Sequence, residues 1–160
     1  MHRKARERRL LATQNVKDSL ARRLEGDQEA FDHSPVSFSP DPAQHSVGIL
    51  LVHGFTGSPH SMRPLAQHFM ELGYAVEMPL LTGHGTHWKD LRDSTYEQWL
   101  ASAEQGYRRL ADQGLRVVVV GMSMGGTVAT HLSARLPVAG TVLINPYMVD
   151  VNPMMRHAGK

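Results

Sequence analysis

Cysteine is absent from the 160 residues, which excludes disulfides, thiolate metal sites and a cysteine nucleophile. Long apolar runs are absent too, and none approaches the roughly 18 residues that a membrane helix needs. Only Leu10, Leu11 and Ala12 follow the basic start, far short of the roughly 7–15 apolar residues of a secretory signal. Internal repeats and low-complexity tracts are missing. These absences lead to the expectation of a soluble, cytoplasmic protein without a transmembrane segment.

The charge is unevenly spread. Eight of the 17 Lys and Arg fall in residues 1–24, with only Glu7 and Asp18 against them; the rest of the chain holds nine basic and thirteen of the 15 acidic residues, a net of −4. The high isoelectric point therefore belongs to the arm and not to the body. Nucleic-acid binding needs basic residues spread over a folded face, so no nucleic-acid partner is expected. Residues 1–31 are expected to form a basic N-terminal arm, helical or disordered, and residues 32–160 a folded unit.

Within that unit, Val36 and Phe38 alternate with serines among Pro35, Pro40 and Pro42, a pattern fit for a short edge strand. Val47–His53 (VGILLVH) is a continuous apolar run, as in a strand buried on both faces of a parallel sheet. Met62, Leu65, Ala66, Phe69 and Leu72 recur at helical spacing, and Gly73 is placed to end that helix. YAVEMP is a second strand, followed by a loop over LLTGHGTHWKDLRD. Tyr96, Trp99, Leu100, Ala103, Tyr107 and Leu110 form a further helical stripe, capped by Asp93 or Ser94 and ended by Gly114. LRVVVVG is a third strand. A helix with Val128, Ala129, Leu132 and Leu136 inward leads to a fourth, VAGTVLINP. Alternation of this kind predicts a three-layer α/β/α fold with a mainly parallel sheet.

Gly121-Met122-Ser123-Met124-Gly125 fits G-x-S-x-G where a strand runs into a helix, the setting of a nucleophile elbow. The turn is so sharp that flanking side chains collide, hence Gly121 and Gly125; Gly126 lets the helix approach the sheet. A helix N-terminus beside the serine favours negative charge. His53-Gly54-Phe55 follows the first buried strand, where this fold places its other oxyanion donor. Ser123 is thus the candidate nucleophile, and the main-chain N–H groups of Phe55 and Met124 form the candidate oxyanion hole. His53 and Gly54 organise the loop, and His53 is not the general base.

LLVHGFTGSPHSMRPLA, PLLTGHGTH and GMSMGGT, with the spacing between them, resemble the bacterial monoacylglycerol lipase and carboxylesterase branch of the α/β-hydrolases over roughly residues 46–150. The resemblance implies a serine carboxylic-ester hydrolase acting through an acyl-enzyme on small esters or monoacylglycerols, with no cofactor. In that family the cap, the acid and the histidine follow the fourth strand, in the order serine, acid, histidine. Asp150 comes too soon after its strand to match the acid, and His157 is not carried over as the base. The triad acid and histidine are thus unassigned, and a partial hydrolase fold lacking the C-terminal strands and cap is expected. The alternative is an inactive truncated fragment that acts as a binding or interaction module, with self-association through an unpaired sheet edge.

His84 and His87, with His53 or His60, are too sparse a pattern to specify a metal, and no metal site is expected. His131 falls on the helix after the elbow, away from the chemistry. Trp88 and Trp99 are read as packing groups.

Overall fold

A computed structural model describes residues 32–40 and 45–148. The basic arm, Asp150 and His157 lie outside the described residues. Five strands form one sheet: β1 (Val36–Phe38), β2 (Val47–Val52), β3 (Ala75–Met78), β4 (Arg116–Met122) and β5 (Gly140–Ile144). Their spatial order is β1-β3-β2-β4-β5, with β1 antiparallel to β3 and every other pairing parallel. Four helices connect them: α1 (Arg63–Glu71), α2 (Trp88–Asp93), α3 (Tyr96–Ala111) and α4 (Met124–Arg135), with a short 3-10 turn at Pro59–Met62.

The unbroken apolar run of β2 has a direct cause. Leu50 and Val52 point into a core with Leu100, Leu110, Val128 and Leu132 of α3 and α4. Ile49 and Leu51 point the other way, toward Met62 and Ala66 at the start of α1. A strand covered by helices on both faces favours apolar residues at successive positions. The three-layer α/β/α arrangement follows.

The edge strand β1 is tied in by charge as well as by its ladder. Glu77 of β3 is 3% exposed; it accepts a hydrogen bond from Ser37 of β1 and pairs with Arg109 of α3 at 2.8 Å. At the opposite edge, no strand pairs with the outer side of β5 among the described residues. Val142, Leu143 and Ile144 are exposed there.

Three local expectations are corrected. The stretch read as a loop contains α2, none of whose residues is buried. It is held by a capping box in which His87 accepts from the Lys89 N–H while Asp90 accepts from the His87 N–H. The cap of α3 is Thr95, paired reciprocally with Gln98, and not Asp93 or Ser94. Ser94 is otherwise engaged, donating to the Leu91 carbonyl and accepting from Trp99 Nε1–H. Leu72 does not join the inward stripe of α1; it is exposed at the C-terminal end, where Gly73 turns the chain with φ 82°.

Candidate active site

β4 ends at Met122 and α4 begins at Met124, which leaves Ser123 alone to make the turn. Its φ of 54° and ψ of −120° are strained for a residue with a side chain. The surroundings hold it there. Its N–H donates to the Ile144 carbonyl at 2.9 Å, and its carbonyl accepts from Gly126 and Tyr147 N–H groups at 2.9 and 3.2 Å. The side chain is exposed. Ser123 thus stands, exposed, at the positive end of α4.

The glycines around it are sites of backbone contact. A β-carbon on Gly121 would lie 2.2 Å from the Gly125 carbonyl oxygen, and one on Gly125 would lie 2.2 Å from that of Val52. On Gly126 it would meet Pro146 at 2.7 Å. Gly54 faces the serine itself: a β-carbon there would be 3.2 Å from Ser123 Cβ. The loop carrying Phe55 therefore runs alongside Ser123. The Phe55 and Met124 N–H groups donate to no acceptor found among the described residues.

His53 is fully buried and both its ring nitrogens are occupied. Leu81 N–H donates to Nε2 at 3.2 Å, so the ring proton resides on Nδ1, which donates to the Gly54 carbonyl at 3.0 Å. Burial pulls this imidazole down to about 4, against the opposing effect of the Gly54 hydrogen bond. His53 is therefore neutral, and it clamps the Gly54 loop to the segment after β3. His84 packs edge-on against it at 5.0 Å and against Trp99 at 5.4 Å. Its Nδ1 lies 3.2 Å from the Thr82 carbonyl, its Nε2 is buried with no hydrogen-bond partner among the described residues, and burial lowers its pKa as well.

Among the described residues only Thr56, Ser123 and Asn145 combine a side chain with positive φ. One lies in the Gly54 loop, one is the elbow, and one follows the carbonyl that receives the Ser123 N–H. The positive-φ side-chain residues thus gather on segments around the strand-to-helix turn.

The remaining candidates fall elsewhere. His131 sits on α4 and shares a hydrogen bond of 3.1 Å with the Tyr96 hydroxyl. His87 is used as the cap of α2. No group of three or more His, Asp or Glu side chains able to hold a metal occurs among the described residues. Trp99 is partly buried against the core and fits the packing role, whereas Trp88 is 61% exposed. Trp88 instead lines a cleft with Phe55 and Trp99. A sequence reading based on core stripes misses this cleft because α2 has no buried face. The Thr95-to-Gln98 capping box, an ordinary start signal, marks where the wall resumes as α3.

Comparison with known proteins bears on the fold and the family. Over 100 residues the chain is 50% identical to a thermostable monoacylglycerol lipase of Bacillus sp. (strain H-257), covering 62% of this chain and 40% of that protein. It is 33% identical over 95 residues to a carboxylesterase of Bacillus subtilis (strain 168), covering 59% and 39%. Among solved structures, one from work on two metagenome-derived lipolytic enzymes, LipS and LipT, superposes with a TM-score of 0.71 at 34% identity, covering 78% of this chain and 50% of that one. The chain thus spans about 40% to 50% of the length of these relatives. The profile of the alpha/beta hydrolase family matches residues 49–159, and the chain belongs to that family.

Proposed function

We propose that this chain carries the nucleophile and oxyanion hole of a serine carboxylic-ester hydrolase. The observation that carries the reading is Ser123, exposed at strained angles on the strand-to-helix bend, with the Gly54 loop against its Cβ. The names of the two Bacillus relatives, a monoacylglycerol lipase and a carboxylesterase, support carboxylic-ester substrates.

In this reading Ser123 Oγ attacks the ester carbonyl carbon, and the carbonyl oxygen becomes an oxyanion that accepts from the Phe55 and Met124 N–H groups. Each such donor contributes on the order of 3 kcal/mol in the transition state. The intermediate collapses with loss of the protonated alcohol, leaving an acyl-serine, and water then releases the acid. Both proton transfers need a base. His53 is not that base, because its Nε2 already accepts from Leu81 and its Nδ1 proton is held by Gly54. The acid and the histidine are assigned to no described residue.

Incubation with p-nitrophenyl butyrate tests the reading. The expected result is nitrophenol release with a butyryl group on Ser123, absent from Ser123→Ala. Equal release by both proteins without acylation removes it.

A second reading, an interaction module without turnover, is favoured by the exposed Val142, Leu143 and Ile144 on β5, whose outer edge no strand among the described residues pairs. It predicts self-association through that edge and no modification of Ser123.

A further inference from the structure

Phe55 links the serine to a second feature. Its backbone follows Gly54, which abuts Ser123, while its ring is 55% exposed and lines a cleft of about 430 Å³ with Trp88, Leu91, Arg92 and Trp99. That volume lies within the range of small-ligand sites. Thr56 and Ser94 also line it, and two of its polar groups are turned to neighbours. Trp99 Nε1–H donates to Ser94 Oγ at 2.8 Å, and Arg92 pairs with Asp93 at 2.7 Å. The Arg92 guanidinium also lies over the Trp88 ring, 5.4 Å from its centroid. What the cleft offers a ligand is mainly apolar and aromatic surface, joined to the Ser123 region through Phe55, the residue after Gly54.

We propose that this cleft receives an alkyl arm of the ester, and that α2, through Trp88 and Leu91, sets the arm length the enzyme prefers. The assignment rests on the reading of Ser123 as nucleophile. α2 suits this role: it has no buried residue and is fixed by its own capping box, so its side chains face the ligand without serving the core.

Trp88 and Trp99 are the only two tryptophans of the chain, and both line the cleft, so intrinsic fluorescence reports occupancy directly. Titration with 1-O-hexyl-, octyl- and decylglycerol, which have no ester to cleave, should give saturable changes. Affinity should rise about fourfold for each methylene buried. Trp88→Ala and Leu91→Asp, followed through Trp99, should lower decylglycerol affinity about tenfold at unchanged circular dichroism. Ser123→Ala should bind as the parent does. No saturable binding, or affinities unmoved by the Trp88 and Leu91 changes, overturns the cleft.

A pair of fluorophosphonates, one with decyl on phosphorus and one with decyloxy, separates an acyl arm from an alcohol arm. The one whose labelling of Ser123 is slowed by Trp88→Ala identifies which arm enters. Labelling that ignores chain length overturns the cleft while leaving the nucleophile in place. Binding of the ethers with no labelling of Ser123 overturns the assignment of the cleft to an ester.

Discussion

Gly54 sits against Ser123 so closely that a β-carbon would come within 3.2 Å of the serine Cβ and 3.7 Å of its Oγ. Two segments far apart in the chain meet there, one carrying a hydroxyl and the other the Phe55 amide.

Gly54→Ala should therefore impair reactivity more than folding. The added methyl must displace the loop by a few tenths of an ångström, since its neighbours include the Met122 carbonyl at 3.3 Å. A misplacement of that size should slow labelling of Ser123 by about tenfold, with a urea midpoint close to that of the parent. Parent-like labelling would show that the loop does not position the reacting group.

Gly125 and Gly114 provide a paired test of contact against conformation. Alanine at Gly125 drives a methyl into two carbonyl oxygens, of Val52 and His53, at 2.2 and 2.5 Å, so helix and strand must separate. A loss of at least about 3 kcal/mol is expected by urea denaturation. At Gly114, φ is 78° but nothing lies within 4 Å, so alanine should cost only the left-handed penalty of about 1 kcal/mol. Equal losses at the two positions would remove the argument that close packing at the elbow selects glycine.

Stability should depend on pH through His53. In the folded protein burial holds it at about 4, while the unfolded chain titrates near the ordinary value of about 6.5. As pH falls through 6.5 the unfolded state takes up a proton that the folded state refuses, so stability declines down to pH 4 and levels below it. The full loss is about 3 kcal/mol. His84, also lowered by burial, acts in the same direction. Denaturation at pH 7, 6 and 5 should show the decline, and His53→Asn should flatten it. An unchanged slope in that variant would mean that His53 is not the group responsible.

Much of this architecture is legible in individual residues. Val117 and Val119 point to one face of β4 and Val120 to the other, so a run of valines announces a strand buried on both sides. The elbow was legible because glycine at positions 121 and 125 answers a backbone constraint that no other residue meets. The sheet order was not legible: nothing in β2 says that β3 and β4 will flank it, since that choice depends on which helix covers which face. α2 escaped because its stability comes from His87 and Asp90 at its start, leaving no apolar periodicity to detect. The aromatic cleft escaped with it, because a tryptophan such as Trp88 has the same composition signature whether it packs or waits for a ligand.

The most direct measurement is peptide mass spectrometry after brief exposure to a fluorophosphonate. A single adduct on Ser123, lost in Ser123→Ala and reduced in Gly54→Ala, is the predicted result. An unmodified Ser123, or an adduct carried equally by other serines, would contradict the assignment of this residue as the nucleophile.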